Sequence, residues 1–431
     1  MDSRLRGNDR KRAMLDIKYI REHKKDLEKN NKHRGVKVDL DRLLELNEER
    51  RKLQHEIDEL RAQRKKGSKG KPSPEEIERL RTVGDEIAVK ERDYAGYEKE
   101  YSELLNKVPN LVHPDAPIGG EEDCEVLYAN KKPAKFDFEP KSHERLMTSL
   151  DLIDFERGAK VAASKFYFLK NDAVRLNQAL ISYGIDIVTK HGYELMETPD
   201  VAKNEILAGI GFQPRGPETQ VYSLENTDLS LIGTAEITVG GYHTKEILDL
   251  SKGPKKYAAI SHCFRTEAGA YGRVSAGLYR VHQFTKLEMF IFCEPKDSEK
   301  MHQELQEIEK EIVGGLEIPY RVIDIASGDL GAPAYRKFDI EAWMTMKGDK
   351  KRQGGYGEIT SASNCTDYQA RALNIKYHKP DGTTDYAHTL NGTAIATSRF
   401  PIAIIENHQQ KDGSVKIPKA LRKYFGKNRI G

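Results

Sequence analysis

Several signatures that would assign this chain to a common class of protein are absent from it. Its four cysteines form no Cys-x-x-Cys pair, so the sequence indicates neither a zinc ribbon nor a redox couple. It has no Gly-x-Gly-x-x-Gly and no Gly-x-x-x-x-Gly-Lys-Ser/Thr, which argues against dinucleotide-binding and P-loop chemistry. It also has no apolar run of about 18 residues, which a membrane-spanning helix requires. We therefore expect no zinc and no membrane partner.

The sequence also has almost no excess of positive over negative charge. The 431 residues carry 71 Lys and Arg against 68 Asp and Glu, a formal net charge of +3. Residues 1–13 hold five basic and two acidic side chains and account for the whole excess. They lack the apolar stretch of a signal peptide, and we expect a disordered basic extension there, with Met14 as an alternative start. Nucleic-acid binding would therefore depend on local basic patches.

The first third of the chain has the pattern of a helical hairpin. Two apolar stripes recur at alternating spacings of three and four residues, which predicts two coiled-coil helices. Segment 65–74 between them contains two glycines and two prolines, which a helix does not cross. We expect an antiparallel arm over residues 14–110, about 40 Å long at 1.5 Å per residue. The stripes are Leu43, Leu46, Arg50, Leu53, Ile57, Leu60 and Leu80, Val83, Ile87, Lys90, Tyr94, Tyr97, Tyr101, Leu104.

Cationic side chains cluster at the expected tip of this arm. A long arm with a basic tip would reach a distant polyanion such as RNA. A solvated dimerisation coiled coil is the alternative, and the segment taken alone favours that alternative. The tip residues are Arg61, Arg64, Lys65, Lys66, Lys69 and Lys71.

Residues 143–431 have the pattern of a mixed α/β domain, which follows a linker that we place at 111–142. Strand-like runs are separated by turns and flanked by helical runs. This predicts an α+β fold with an antiparallel β-sheet flanked by helices, and not a doubly wound sheet. Helices are expected at 173–191 and 297–313, and strands at 193–199, 257–260, 287–292 and 320–325.

The most informative stretch of the sequence is 264–288. It begins with Phe-Arg-Thr-Glu at 264–267, continues through a glycine-rich loop and returns with Arg280, Phe284 and Glu288. An arginine can fork onto a phosphate and a carboxylate. A glutamate can accept from an amino group, and a phenylalanine can stack on a base. The set suits a site that holds a nucleoside triphosphate together with a zwitterionic small molecule.

This stretch resembles motif 2 of the class II aminoacyl-tRNA synthetases, in the form seen in the seryl-tRNA synthetase family. With the arm, the resemblance covers essentially Met14 to Gly431. It implies a cytoplasmic homodimer that uses ATP and Mg²⁺ to convert L-serine to seryl-adenylate and transfers serine to serine tRNA. The family often charges selenocysteine tRNA as well. Further matching patches are 150–157 and 166–170, a motif 1-like helix and strand ending at Pro199, Gly-Thr-Ala-Glu at 233–236, 357–371, and a motif 3-like block at 391–407.

The resemblance also implies roles for individual residues. Arg265 would bridge the serine carboxylate and the α-phosphate, and with Glu288 and Arg399 it forms the expected catalytic set. Glu267 would accept from the adenine amino group, and Phe284 would stack on adenine. No general base is expected, because the serine carboxylate itself attacks the α-phosphorus.

The expected binding residues fall into three groups. Glu358 and Ser361 offer hard oxygen ligands for Mg²⁺. The serine pocket would contain Arg265 and four residues that accept from an ammonium or a hydroxyl, namely Thr234, Glu236, Glu288 and Thr393. The ATP site would contain Arg265, Thr266, Glu267, Arg280, Val281, Phe284, Glu358, Ile359, Thr360, Ser361 and Arg399.

Two other functions remain open at this stage. One is a homologue that activates an amino acid but loads a carrier protein, and the retained arm weighs against it. The other is a non-catalytic RNA-binding coiled-coil protein with a degenerate synthetase domain. The presence of all the expected charged site residues argues against such loss of catalytic function. Ala276 replaces an arginine that would contact the tRNA acceptor end in many relatives, and Ala394 and Ala396 stand where motif 3 commonly has glycines.

Overall fold

The computed structural model divides into two compact units, Met1–Leu111 and Val112–Gly431. The expected basic extension at 1–13 lies outside the described residues, as do Lys69, Lys71 and Ala276. Within the described part of the chain, no helix is long and apolar enough to cross a membrane. The described residues are 15–68, 73–133, 135–212, 220–267, 277–348 and 354–431.

The described part of the first unit contains four α-helices, of which the last two form the predicted hairpin. The α3 helix begins after Asp39, whose carboxylate accepts from the Arg42 N–H at 2.9 Å. The α4 helix begins with Pro74 after Ser73, whose hydroxyl accepts from the Glu76 N–H at 3.2 Å. The four helices are α1 (Ile17–Glu22), α2 (Lys24–His33), α3 (Leu40–Gly67) and α4 (Pro74–Leu105).

The two polar interruptions of the apolar stripes are paired across the hairpin. Arg50 donates to Glu98 at 2.5 Å, and its guanidinium lies 4.1 Å from the centre of the Tyr101 ring. Lys90 donates to Glu56 at 2.8 Å. Residue numbers rise along α3 as those of their partners fall along α4, so the helices are antiparallel. The polar interruptions therefore fix the register of the hairpin without leaving a charge unpaired.

The second unit is built on one large sheet. Its strand order is β1-β10-β11-β12-β15-β9-β8-β4, and neighbours are antiparallel except for the parallel pair β4–β8. The predicted antiparallel α+β fold is confirmed. The strands of this sheet are β1 (Glu125–Ala129), β4 (Glu194–Glu197), β8 (Lys255–Phe264), β9 (Gln283–Cys293), β10 (Tyr320–Asp324), β11 (Arg336–Met344), β12 (Gly355–Asn364) and β15 (His388–Ala396).

Shorter strands and several helices complete the second unit. The short strands are β2 (Ile153–Asp154), β3 (Phe168–Leu169), β5 (Val201–Lys203), β6 (Leu229–Leu231), β7 (Ile247–Leu248), β13 (Lys376–His378), β14 (Thr384–Tyr386), β16 (Val415–Lys416) and β17 (Arg429–Ile430). The helices are α5 (His143–Ser149), α6 (Phe155–Ala162), α7 (Asp172–Lys190), α8 (Asn204–Ile210), α9 (Ala235–Tyr242), α10 (Ser298–Gly315), α11 (Tyr368–Leu373), α12 (Phe400–Asn407) and α13 (Arg422–Phe425).

Segment 111–142, which we expected to be a linker, contributes strand β1 to one edge of the sheet. Val126, Leu127 and Tyr128 are exposed on that strand. Since the strand is exposed on both faces, its sequence lacks the alternation that reveals a half-buried strand.

One face of the sheet is covered by α7 and α10, whose apolar side chains enter the largest buried cluster. Leu287 of β9 and Ile395 of β15 lie in that cluster with Leu305 of α10. Adjacent residues on a strand point to opposite faces. The neighbours of these residues, such as Glu288, are therefore directed to the other face, where polar groups collect.

Candidate active site

The hairpin of β8 and β9 positions Arg265. Strand β8 ends at Phe264, and the Arg265 N–H donates to the His282 carbonyl at 2.9 Å, just before β9 begins. The Arg265 Nε donates to the Gly233 carbonyl at 3.2 Å. Its guanidinium lies 5.3 Å from the centre of the Phe284 ring. The expected bridging cation is thus held beside the expected stacking ring.

A pocket opens around this arginine. It brings together most of the residues that the sequence analysis assigned to ATP and two of those assigned to serine, Arg265 and Thr393. Tyr279, Lys286, Ala396 and Ser398 line it too, and these were not predicted. The expected residues in the lining are Arg265, Glu267, Arg280, Val281, Phe284, Glu358, Ile359, Thr393 and Arg399.

Two irregularities in strand pairing direct side chains into the pocket. Opposite β11, the register jumps from Thr360 to Glu358, so Ile359 is an extra residue in β12. Opposite β9, it jumps from Thr393 to Ile395, so Ala394 is extra in β15. A β-bulge of this kind re-aims the side chains on either side of it.

The bulge at Ile359 explains why two expected ATP residues separate. Thr360 is 1% exposed, and its hydroxyl donates at 2.8 Å to Glu309 of α10, on the helix-covered face. Glu358 lies on the pocket face, although two residues of a regular strand would share a face. Any contact of Thr360 with ATP would therefore come from its main chain.

Ion pairs line the outer wall of the pocket. Arg399 Nη1 lies 2.7 Å from the Glu358 carboxylate, and Arg280 Nη1 lies 3.3 Å from the Glu267 carboxylate. Burial opposes ionisation of Glu358, but Arg399 and Lys337 hold its pKa below the usual value. A negative ligand entering here would therefore meet arginines whose positions are already fixed.

A buried ion pair lies at the inner end of the pocket, and its lysine, Lys286, is part of the lining. Lys286 Nζ lies 2.6 Å from the Glu288 carboxylate, and the two residues are 5% and 2% exposed. The Thr393 hydroxyl donates to Glu288 at 3.3 Å across the β9–β15 pair. Lys286 was missed in the sequence analysis. Its position two residues before Glu288 on a strand was the available signal, because such residues share a face.

Glu236, the second expected serine carboxylate, lies in the first turn of helix α9. Its N–H donates to the Thr234 hydroxyl at 3.1 Å, so Thr234 is the helix N-cap as well as a site candidate. Its carboxylate accepts from Gln369 at 2.8 Å and from Asn391 at 3.0 Å. Burial, with the nearby charge of Glu288, raises the pKa of Glu236 to about 7. Neither amide was predicted, since they come from α11 and β15.

The oxygen ligands expected for Mg²⁺ lie near a further carboxylate. Ser361 pairs with Asp339 across β11 and β12, and its hydroxyl hydrogen-bonds with the Asp339 carboxylate. Asp339 is 5% exposed, and its Oδ1 has no hydrogen-bond partner. With Glu358, these oxygens fit the preference of Mg²⁺ for a few carboxylate and hydroxyl ligands supplemented by phosphate and water.

The remaining expected residues lie outside the pocket lining. The Thr266 N–H donates to the Gln220 carbonyl at 3.2 Å. At the described end of the arm, Arg61 lies 2.6 Å from Glu91, whereas Arg64, Lys65 and Lys66 are exposed. Three of the expected tip cations are thus directed to solvent.

Comparison with known proteins identifies the family. The model for the tRNA synthetase class II core domain (G, H, P, S and T) matches residues 220–408, and that for the seryl-tRNA synthetase N-terminal domain matches residues 14–112. A serine–tRNA ligase of Treponema denticola is 53% identical over 97% of this chain and 100% of its own. The chain belongs to the seryl-tRNA synthetase family.

Other members of the seryl-tRNA synthetase family agree with this assignment. A serine–tRNA ligase of Dictyoglomus turgidum is 52% identical over 97% of this chain and 99% of its own. The crystal structure of seryl-tRNA synthetase from Pyrococcus horikoshii complexed with ATP superposes with a TM-score of 0.83 at 37% identity, covering 96% of this chain and 99% of that one. The family predicted from the sequence motifs is confirmed.

Proposed function

We propose that the protein activates L-serine with ATP to form seryl-adenylate and then transfers the seryl group to the 3′ end of serine tRNA. One observation carries the proposal beyond family membership. A single pocket is lined by Arg265, by the nucleotide-type groups Glu267 and Phe284, and by Thr393 and Lys286, each of which contacts the buried Glu288. Both substrates would therefore meet at one guanidinium.

In this proposal, catalysis consists of positioning and electrostatic stabilisation. Arg265 holds the serine carboxylate and the α-phosphate against their mutual repulsion, and it stabilises the charge that accumulates as the carboxylate attacks phosphorus. Glu267 accepts from the adenine amino group and Phe284 stacks on the ring. Arg280 and Arg399 lie on the outer wall, where their charges suit the outer phosphates.

The polar groups at the inner end match the polar groups of serine. Glu236 and Glu288 are acceptors for the ammonium, and Thr234 and Thr393 supply hydroxyls of the type that pair with the serine hydroxyl. A site built to bond a hydroxyl rejects the analogue without it by roughly 10⁴-fold or more, because its own buried groups would go unpaired. We therefore expect strong discrimination against alanine.

Glu358 and Ser361 are the proposed protein ligands of Mg²⁺, and Asp339 lies beside them. When bound, the ion would neutralise phosphate charge and orient the triphosphate. Around it, Arg399 holds the Glu358 carboxylate at 2.7 Å, and the Ser361 hydroxyl is oriented by Asp339.

The helical hairpin is the proposed tRNA-binding element. Exposed cations suit the phosphate backbone of an RNA helix, which proteins recognise by shape and charge. We further propose a homodimer, as the motif 1-like segment ending at Pro199 implies, and a cytoplasmic location. Selenocysteine tRNA is a proposed second tRNA substrate, because the family often charges it as well.

Amino-acid-dependent exchange of pyrophosphate into ATP tests the activation step. Serine, threonine, alanine and glycine are compared, and charging of total tRNA follows. We expect exchange with serine alone and serine attached to tRNA. Exchange without charging would point to a carrier-loading homologue, and no exchange with any amino acid would leave an RNA-binding role.

A further inference from the structure

A buried histidine–glutamate pair outside the pocket connects a segment of its wall to a second segment that contacts this wall. His143, the first residue of α5, is 1% exposed, and Glu406 of α12 is fully buried. His143 Nδ1 lies 2.8 Å from Glu406 Oε1, which also accepts from the His143 main-chain N–H at 2.8 Å. Neither residue lines the pocket, and neither has a role in the proposed chemistry.

On one side, the pair holds the segment that ends the motif 2 loop. The Leu278 N–H donates to His143 Nε2 at 3.1 Å, so Nε2 is the acceptor nitrogen and Nδ1 is left to donate to Glu406. Gly277 has a φ of +64°, and a Cβ there would lie 2.1 Å from His143 Nε2. The imidazole thus fills the space beside this glycine and fixes the turn immediately before Tyr279 and Arg280.

On the other side, Glu406 holds segment 345–347, which contacts the pocket wall at Tyr279. Its Oε2 accepts from the Thr345 hydroxyl at 2.9 Å and from the Met346 N–H at 3.0 Å. Lys347 follows directly, and its ammonium lies 4.0 Å from the centre of the Tyr279 ring. The Arg399 guanidinium lies 4.9 Å from the same centre. One carboxylate therefore holds both segments that meet at Tyr279.

The charges around Tyr279 indicate what this arrangement serves. Lys347 and Arg399 lie over the Tyr279 ring, and Arg280 follows Tyr279 in the chain. Among the described carboxylates, Glu267 is paired with Arg280, and Glu358 is paired with Arg399. Burial, together with the charges of Arg399 and Arg280, lowers the pKa of Lys347. Glu341 also acts on Lys347 and is itself paired with Arg321 at 2.5 Å. With that pair included, four cations face three carboxylates, and a polyphosphate would neutralise the excess positive charge.

We propose that His143 and Glu406 are positioning residues for the nucleotide, which hold Tyr279, Arg280 and Lys347 against the triphosphate without touching it. The inference rests on the proposed function, since it assigns ATP to this wall. Breaking the pair would move the wall of the ATP subsite, while Glu236 and Glu288, at the inner end, keep their own hydrogen bonds.

The test compares variants of the full chain that differ in hydrogen-bond complementarity. H143A removes both ring contacts, whereas H143Q retains an acceptor for Leu278 and a donor for Glu406. In E406Q, one carboxylate oxygen becomes an NH₂ group, which donates, whereas all the groups around Glu406 donate to its carboxylate. K347Q removes the ammonium alone. H243A is the matched control, because His243 is also a buried histidine with a carboxylate partner, Glu246.

The readouts are KM for ATP and for serine in the exchange reaction, the ATP dissociation constant from calorimetry, and Tm. We expect H143A and E406Q to raise the KM and dissociation constant of ATP about tenfold or more, with the KM of serine within about twofold. H143Q should recover most of the lost ATP affinity. K347Q should weaken ATP binding without changing the KM of serine, and H243A should leave the constants for both substrates unchanged.

Two results would overturn the inference. The first is an unchanged ATP dissociation constant in folded H143A, or in E406Q and K347Q if H143A does not fold. The second is an equal loss of ATP and serine affinity in H143A and H243A, which would reflect general destabilisation. Failure of the wild-type protein to exchange with serine would instead count against the proposed function, while ATP binding by calorimetry would still test the pair.

Discussion

The ammonium of Lys286 lies 2.6 Å from the carboxylate of Glu288, and both side chains are buried on the pocket face of strand β9. A serine ammonium that binds Glu288 must share it with this lysine. Lys286 also opposes the increase in the pKa of Glu236. The lysine therefore pairs with one buried carboxylate and favours ionisation of the other, Glu236.

Replacing Lys286 by methionine should weaken serine binding most strongly at low pH. Without the ammonium, Glu236 loses a positive charge that opposes the effects of burial and of Glu288, so the pKa of Glu236 rises further and it protonates more readily. We expect KM for serine at pH 7 to increase about tenfold or more and to recover partly at pH 8.5. The measurement is the serine dependence of pyrophosphate exchange at several pH values.

K286R is the matched control, because it retains the positive charge. Removing one partner of a buried pair typically costs about 3–5 kcal/mol of stability, so Tm must be followed in parallel. A KM for serine in K286M that equals the wild-type value at every pH would exclude this role for Lys286.

The affinity for serine should increase with pH through the titration of Glu236. Its pKa in the folded protein is about 7, above the ordinary carboxyl value, so the folded state favours the protonated form. The stability that this proton contributes is complete below the ordinary value and is lost as pH rises through about 7. An ammonium binds the ionised form, and roughly a tenth of the carboxyl is ionised at pH 6 against nine tenths at pH 8.

We therefore expect KM for serine to fall about ninefold between pH 6 and pH 8. E236Q removes the titrating group, so its weaker binding should be nearly independent of pH over this range. The same profile in wild type and E236Q would assign the pH dependence to another group.

Substitution of Arg265 by alanine should abolish adenylate formation. The guanidinium is the proposed bridge between the two reacting anions, and loss of one such donor typically costs about 10²–10³-fold in rate. R265K keeps a charge without the fork and should recover only part of the activity. Unchanged exchange in R265A, with serine and ATP both saturating, would refute the assignment.

Neutralising the exposed tip of the arm should impair tRNA charging but not serine activation. In the triple variant R64Q/K65Q/K66Q, we expect weaker tRNA binding and a smaller salt dependence, by roughly 0.7–0.9 in log–log slope per lost phosphate contact. Pyrophosphate exchange should be unchanged. The measurements are tRNA affinity at several salt concentrations and exchange without tRNA.

The control is K25Q/K29Q/K32Q, which removes three exposed charges from helix α2 of the same unit. It should leave tRNA affinity nearly unaltered. Equal losses of charging and exchange in the tip variant, or equal losses of tRNA affinity in the two triple variants, would show that the tip has no specific role.

The sequence by itself determined the hairpin helices and the family. Alternating spacings predicted helices α3 and α4, and the same pattern located Arg50 and Lys90 as the polar seam positions that are paired in the structure. The expected strand at 287–292 lies within β9, although β9 begins four residues earlier, at Gln283. These are local properties, since neighbouring side chains within one element share a fixed geometry.

Only the tertiary structure decided which groups meet. The bulges at Ile359 and Ala394 separate Glu358 from Thr360 and Thr393 from Ile395, although a regular strand would keep each pair on one face. Gln369 comes from another helix to hold Glu236. Strand pairing and burial join positions far apart in the chain, and the resulting desolvation and contacts set the pKa values. Local periodicity carries no information about such partners.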